Sequence, residues 1–136
     1  MNFSPYLFFR GQCKEALEFY AKIFDGEIIA MMTYDDGPMA SDMPPEQLEK
    51  VMHAQLNIGE QVFMASDDCQ QYQQPQGFRI TIGVDTPDEA ECIYKALSEG
   101  GEVTMPMEET FWAQRFAMFT DRFGIPWMVN CDKPEQ

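Results

Sequence analysis

The side chains best suited to chemistry in this chain are His53, the only histidine, and Arg79. His53 alternates with Gln55 and Asn57, so a strand would place these three polar side chains on one face. If the apolar face of that strand packs under a helix, His53 and Gln55 face a ligand cavity. The alternative is that His53 is a rim or interface residue held by hydrogen bonds.

Arg79 alternates with Thr81, whereas Ile80 and Ile82 lie on the other face of the strand and are predicted to pack against a helix. We therefore expect Arg79 and Thr81 to point into the same cavity, where a guanidinium could bind a carboxylate or phosphate. The alternative is an ion pair, because 23 Asp and Glu residues face only 9 Lys and Arg residues.

Aromatic and sulfur-containing side chains add a possible apolar lining. Phe111 and Trp112 precede a predicted strand and could form a lip over the cavity, while Met128 and Asn130 alternate on the last strand. The eleven methionines would make an adaptable wall. All of these side chains would also serve as ordinary core.

Other kinds of site are not indicated. The sequence shows no Ser-His-Asp order and no glycine-flanked nucleophile. The four cysteines are far apart, which argues against a disulfide framework or a zinc knuckle and favours a reducing cytosol. The acidic pairs at 35–36, 67–68 and 108–109 are interpreted as solvated loop charges.

The composition of the chain limits the classes of partner that we expect. The chain has 136 residues, 45% hydrophobic, and can bury the core of one domain. Its net charge of -14 repels phosphate backbones and anionic lipids, so neither nucleic acid nor a membrane is expected as a partner. No targeting segment or membrane-spanning run is recognised, and the predicted location is cytoplasmic.

The pattern predicts an α+β fold in which the order βαβββ occurs twice. Apolar spacing predicts helices at about 12–25 and 87–99, with Phe24 and Ile93 on their buried faces. Gly26 is expected to end the first helix in a left-handed conformation, and Thr86 to cap the second. The chain is interpreted as a single domain, 1–136, with half-modules at about 1–66 and 78–131 joined by a linker at about 67–77. An ungapped repeat aligns 6–20 with 80–94 and 53–57 with 116–120.

Several motifs resemble one family. They are PYLFF at 5–9, EALEFY at 15–20, HAQL at 53–56, FW at 111–112 and TDRFGIPWMVN at 120–130. The chain resembles PhnB-like proteins of the vicinal-oxygen-chelate superfamily, which includes glyoxalases, bleomycin-resistance proteins and extradiol dioxygenases. The resemblance implies two βαβββ modules in a cupped mixed sheet, helices outside, a cavity inside, and a homodimer.

The same resemblance places metal ligands on the first and last strands of each module. Motif matching puts them at Pro5, at Met64 or its neighbour Phe63, at Arg79 and at Met128, and none of these binds a hard metal ion. We therefore predict no metal and no cofactor, with a divalent ion loosely held by His53 as the alternative. Some PhnB-like proteins carry a demethylubiquinone methyltransferase label, which the absence of a glycine-rich strand-to-helix turn argues against.

Three functions follow as hypotheses. The first is a metal-free domain that binds or modifies a small, anionic organic molecule with Arg79, Thr81, His53, Gln55, Trp112, Met128 and Asn130 as candidate ligand contacts. The second is a divalent-metal lyase, isomerase or dioxygenase. The third is a resistance protein that sequesters a drug or metabolite without turnover.

Overall fold

A computed structural model describes residues 1–134. The first half contains β1 (Tyr6–Phe9), α1 (Cys13–Phe24), β2 (Glu27–Thr33), β3 (Val51–Ile58) and β4 (Gln61–Asp67). The second half contains β5 (Ile80–Val84), α2 (Pro87–Ser98), β6 (Glu102–Glu108), β7 (Ala113–Thr120) and β8 (Pro126–Asp132). Three short 3₁₀ turns, Tyr34–Asp36, Ala40–Asp42 and Pro45–Gln47, occupy the connection between β2 and β3.

The chain forms two compact units, residues 1–73 and the residues from 74 onward. Each unit is one βαβββ module, which confirms the predicted α+β fold class. No helix in residues 1–134 is long and apolar enough to cross a membrane.

Each unit contains a mixed four-stranded sheet with the same strand order. The orders are β1-β4-β3-β2 and β5-β8-β7-β6. In each sheet the first and last strands of the module pair in parallel, and the other pairs are antiparallel. Parallel pairing requires a crossover, which the helix after the first strand supplies.

The core of the first unit lies between its sheet and α1, which packs against β2, β3 and β4. The apolar stripe of the helix contributes Leu17 and Tyr20, and the sheet contributes Phe9, Ala54 and Leu56, all at most 1% exposed. Period-two alternation therefore sends the odd-numbered residues of β3 to the opposite, helix-free face of the sheet.

The core of the second unit repeats this arrangement. α2 packs against all four strands of its sheet and buries Leu97 completely. Phe119, Trp127 and Val129 face it and are at most 1% exposed. The even-numbered residues of β7 and β8 consequently lie on the helix-free face of this sheet.

The helix ends differ from the predictions in two details. Asp25, not Gly26, adopts the left-handed conformation after α1, at φ 54°. Gly26 is instead required because a Cβ there would crowd the carbonyl oxygen of Asn57, 2.9 Å away. Phe24 and Ile93 are only half-buried, because Phe24 is the last residue of α1 and Ile93 lies to one side of the fully buried Ala90 and Leu97. The predicted cap is confirmed, because Thr86 Oγ1 accepts a hydrogen bond from the Glu89 N–H at 3.2 Å.

The hairpin part of the internal repeat is reflected in the strand register. Gln55 pairs with Met64 in the first unit, and Met118 pairs with Met128 in the second. The first-strand part is shifted by one residue. Met64 also pairs with Tyr6, and Met128 also pairs with Thr81. Tyr6 therefore corresponds to Thr81, whereas the ungapped repeat aligns Tyr6 with Ile80.

A buried aspartate organises each unit. Asp67 ends β4 and is 2% exposed, so its interpretation as a solvated loop charge is wrong. Its two carboxylate oxygens accept the N–H groups of Cys13 and Val51 at 3.0 and 2.9 Å. Asp121, 3% exposed, follows β7. Burial of a carboxylate is tolerated where charge-assisted hydrogen bonds replace its hydration.

Asp121 accepts three hydrogen bonds. Its Oδ1 accepts the N–H groups of Phe123 and Ile125 at 2.8 and 3.0 Å, and its Oδ2 accepts Trp127 Nε1–H at 2.8 Å. The carboxylate therefore fixes the β7–β8 turn and the buried indole that follows it.

Replacing Asp121 with alanine should destabilise the protein severely. Three buried N–H donors would lose their acceptor, and each orphaned donor costs about 1–3 kcal/mol, so we expect a loss of about 3 kcal/mol or more. Urea unfolding measures it. Asp85→Ala, which removes an exposed carboxylate from the loop before α2, is the matched control and should change stability little. Equal effects of the two variants would contradict the role given to Asp121.

Candidate functional site

Arg79 lies one residue before β5 and is anchored by backbone carbonyls. One guanidinium nitrogen, Nη1, donates to the carbonyl oxygens of Phe119 at 2.9 Å and Trp127 at 3.4 Å. The other, Nη2, lies 3.5 Å from Thr104 Oγ1. These contacts come from β6, β7 and β8, so the whole width of the sheet positions the guanidinium.

The positive charge of Arg79 is not neutralised by an ion pair. Within residues 1–134, Arg115 pairs with Glu91 and Lys133 with Glu109, and no carboxylate pairs with Arg79. Carbonyl dipoles orient a guanidinium without cancelling its unit charge. In a chain of net charge -14, an unpaired half-buried cation marks a place that can attract an anion.

A cavity of about 450 Å³ lies beside Arg79 in the second unit. Its walls are the segment 74–78, which precedes Arg79, together with Thr120, Pro126 and Met128. The volume is in the range of sites that hold small organic ligands. Phe78, Pro126 and Met128 make much of the wall apolar, and Arg79 supplies its cationic group.

Two further candidates of the second unit lie close to Met128 on the helix-free face. Thr81 pairs with Met128, and its hydroxyl lies 3.7 Å from the Met128 sulfur. Asn130 pairs with Gly83, and its Nδ2 donates to Asp132 Oδ1 at 2.7 Å. The Oδ1 atom of Asn130 is buried and has no hydrogen-bond partner within residues 1–134. Of these residues, only Met128 joins Arg79 in the cavity wall.

Trp112 lies apart from this cavity. Its ring stands edge-on to Phe116 at 5.2 Å and to Phe111 at 4.8 Å between centroids. Phe111 is 88% exposed and Trp112 43% exposed. Phe111 and Trp112 therefore continue the edge-on row of aromatic rings from Phe116 towards solvent. Neither residue is part of the cavity wall beside Arg79.

The remaining candidates belong to the first unit. His53, Gln55 and Asn57 are half-buried on the helix-free face, as the alternation predicts. Gln55 Nε2 donates to Asn57 Oδ1 at 3.0 Å. His53 Nδ1 lies 3.2 Å from the hydroxyl of Tyr6, a residue that the sequence interpretation did not include.

A second cavity, of about 300 Å³, lies at the start of α1 in the first unit. Its wall contains two lysines, Lys14 and Lys50, and four carboxylates, those of Glu15, Glu18, Glu49 and Asp67, so its charge is predominantly negative. Lys50 Nζ is occupied by the carbonyl oxygen of Gly11 at 3.1 Å. This cavity therefore does not suit an anionic ligand.

Thiol chemistry is not supported by the two cysteines nearest to Asp67. Burial raises the pKa of the Cys13 thiol far above its usual value, and the negative charge of Asp67 raises it further. Burial and the same carboxylate also raise the pKa of Cys69. Both thiols are therefore held in their weakly nucleophilic protonated form at neutral pH.

Sequence reasoning missed several contributors to these surfaces, namely Tyr6, the segment 74–78, Thr120 and Pro126. Motif matching points to Pro5 as the metal-ligand position of the first strand, whereas in the sheet the residue paired with Met64 is Tyr6. Thr120 and Pro126 flank the β7–β8 turn and become cavity walls only through tertiary structure. A usable signal existed for the turn itself, since an aspartate that opens a turn commonly accepts backbone N–H groups two residues on.

A family model described as 3-demethylubiquinone-9 3-methyltransferase matches residues 1–130. The chain belongs to this family. It is similar to the crystal structure of protein PA1353 from Pseudomonas aeruginosa, with 43% identity and a TM-score of 0.89 over 98% of this chain and 99% of that chain.

Two other solved structures support the fold. A PhnB protein from Bacillus cereus, whose name also carries the 3-demethylubiquinone-9 3-methyltransferase description, is 23% identical at TM-score 0.83, covering 96% of this chain and 99% of that one. A glyoxylase/bleomycin resistance protein/dioxygenase domain from Frankia sp. EAN1pec is 12% identical at TM-score 0.64, covering 98% of each chain. The PhnB-like resemblance and the vicinal-oxygen-chelate fold are thus confirmed.

The residues at the superfamily's metal positions do not fit a hard divalent ion. On the helix-free faces the first-strand and last-strand neighbours are Tyr6 with Met64, and Thr81 with Met128. Thioethers are soft ligands, and neutral hydroxyls are weak ones compared with imidazole or carboxylate. Within residues 1–134 no three His, Cys, Asp or Glu side chains come together as a ligand group.

A methyl-donor cofactor does not fit either. The family description names a methyltransferase, which would bind its adenosyl cofactor over a glycine-rich turn from strand to helix. Here β1 leads into α1 through Arg10, Gly11 and Gln12, and β5 leads into α2 through Asp85 and Thr86. The first turn has one glycine, Gly11, and the second has none, so neither is the glycine-rich turn that lets a backbone approach a cofactor closely.

We predict that the purified protein retains no stoichiometric divalent metal. The side chains at the four positions, Tyr6, Met64, Thr81 and Met128, lack the charge needed to displace hydration water from magnesium or zinc. Elemental analysis after mild chelation and gel filtration should give zinc, manganese, nickel and iron contents well below one ion per chain. A near-stoichiometric metal bound through Tyr6 or His53 would show that this donor argument is wrong.

Proposed function

We propose that this protein binds a small organic anion in the cavity beside Arg79, with the anionic group at the guanidinium and an apolar body against Phe78, Pro126 and Met128. The observation that carries this proposal is the charge of Arg79, which carbonyl oxygens hold in place and which no carboxylate of residues 1–134 neutralises. Charge and wall chemistry together favour carboxylates or phosphate esters with an apolar part.

Preorganisation strengthens the case for binding. An arginine side chain that must be ordered by its ligand loses rotamer entropy on binding, whereas Arg79 is already fixed by two carbonyl groups. Half-burial also lowers the local dielectric relative to water, which strengthens a charge-assisted hydrogen bond. The residue therefore combines a fixed position with a charge that remains available.

The proposed site works without a metal ion, because the guanidinium supplies the positive charge. This makes ligand binding, rather than Lewis-acid chemistry, the function that the local residues support best. A reducing compartment suits the protein, because Cys69 and Cys92 are exposed free thiols.

Arg79→Ala should weaken binding of a small aromatic carboxylate such as benzoate. A hydrogen bond to a charged group is worth about 1.5–3 kcal/mol, so we expect a loss of about tenfold to a hundredfold in affinity. Isothermal titration calorimetry measures it. Neutral toluene-like analogues should bind no better to the wild type than to the variant.

The control is Arg122→Ala, which removes an exposed cation from the same unit outside the cavity. It should bind benzoate as the wild type does. Unchanged affinity in Arg79→Ala, with the fold intact by circular dichroism, would assign Arg79 to a structural role only.

We also propose that two copies of the chain associate. β2 and β6 are edge strands of their sheets and expose Ile29 at 51% and Val103 at 43%. Unpaired edges with apolar side chains are stabilised by a partner. Light scattering at micromolar concentration should give twice the 15.7 kDa chain mass, and a monomer would remove this proposal without affecting the Arg79 site.

A further inference from the structure

The first unit contains a histidine that a tyrosine holds in a defined orientation. The Tyr6 hydroxyl lies 3.2 Å from His53 Nδ1, and the two rings are 5.9 Å apart between centroids. The ring of Phe8 lies 5.0 Å from that of Tyr6 between centroids, so a second aromatic ring of β1 packs against Tyr6. The phenol has no other acceptor within residues 1–134, and an imidazole nitrogen accepts a hydrogen bond more strongly than a phenol oxygen does.

The second nitrogen of His53 remains available. Nε2 has no hydrogen-bond partner within residues 1–134, yet it is not among the buried unsatisfied atoms of that range, so it reaches the surface. Gln55 Oε1 also has no hydrogen-bond partner within residues 1–134 and is not among the buried unsatisfied atoms of that range, so it too is accessible. Gln55 Nε2, in contrast, donates to Asn57. The helix-free face of β3 therefore presents at least one accessible ring nitrogen and one accessible amide oxygen.

We propose that His53 is the hydrogen-bond donor of a second small-molecule site, on the helix-free face of the first unit, which recognises an oxygen acceptor in a carbonyl, carboxylate or phosphoryl group. Tyr6 is its positioning residue. By donating to Nδ1, Tyr6 keeps the imidazole proton on Nε2, where it points to the ligand.

The comparison between the two units supports a specific role. The residues of the second unit that occupy the same register as His53 and Gln55 are Phe116 and Met118, which are apolar. Only the first module of this chain therefore carries polar groups at these positions. Their neighbours Met32 and Met64 supply an apolar surround, which is the usual setting for a few convergent polar groups. This inference does not depend on the Arg79 site.

The first test needs no ligand. Because His53 is the only histidine, long-range ¹H–¹⁵N spectra of the ¹⁵N-labelled protein contain one imidazole. In the neutral imidazole the proton should reside on Nε2, and Tyr6→Phe should shift the Nδ1 resonance. Tyr34→Phe is the matched control, since the Tyr34 hydroxyl donates to the Asp67 carbonyl oxygen instead. A proton on Nδ1 in the wild type, or no change in Tyr6→Phe, would overturn the role of Tyr6.

The second test follows the same imidazole during titration with pyruvate and, separately, with inorganic phosphate. A saturable shift with pyruvate alone identifies an organic carbonyl or carboxylate ligand, and a shift with phosphate alone identifies a phosphoryl ligand. Tyr6→Phe should weaken the response about two- to tenfold, as expected for one neutral hydrogen bond, while Arg79→Ala and Tyr34→Phe should leave it unchanged. Absence of a saturable shift with both probes would overturn the proposed site, and loss of the shift in Arg79→Ala would assign the response to the Arg79 cavity.

Discussion

The carboxylate of Asp121 is the interaction on which the arrangement around Arg79 depends. It holds the β7–β8 turn through two N–H groups and holds the buried Trp127 indole through a third. The backbone carbonyl oxygen of Trp127 in turn accepts a hydrogen bond from Arg79. A buried, hydrogen-bonded carboxylate thus supports one of the two backbone carbonyl groups that orient the Arg79 guanidinium. Buried networks of this kind are stable only when every member is satisfied.

The first unit uses an aspartate at a different place for a related purpose. Asp67 ends β4 and joins the N–H of Cys13, at the start of α1, to the N–H of Val51, at the start of β3. His53 follows two residues later on the same strand, so the carboxylate fixes the beginning of the element that carries the imidazole. The two modules share strand order and pairing, yet their stabilising carboxylates and their helix-free faces differ. That difference is where distinct ligand chemistry can arise within a repeated fold.

The parts of this structure that sequence could predict are those determined by local periodicity. Alternation predicts Ala54 and Leu56 under the helix and His53 and Gln55 opposite, and apolar spacing predicts both helices to within one or two residues. What escaped prediction depends on contacts between distant segments. Asp67 is buried because two N–H groups from elsewhere in the chain converge on it. Tyr6 belongs beside Met64 because of a parallel register that no local pattern encodes.

The choice between an anion site and a metal site comes down to the sign of one charge. Arg79 lies in a cavity wall with Met128, two residues before Thr81, the strand partner of Met128. At an effective dielectric of about 20, two like unit charges about 4 Å apart repel by about 4 kcal/mol, and a divalent ion doubles that cost. The same field attracts an anion. Because carbonyl groups anchor the guanidinium instead of a carboxylate, no neighbouring charge within residues 1–134 offsets this preference through an ion pair. Held in this way, and less strongly hydrated than an ammonium group, the guanidinium favours an anion over a metal ion at this place.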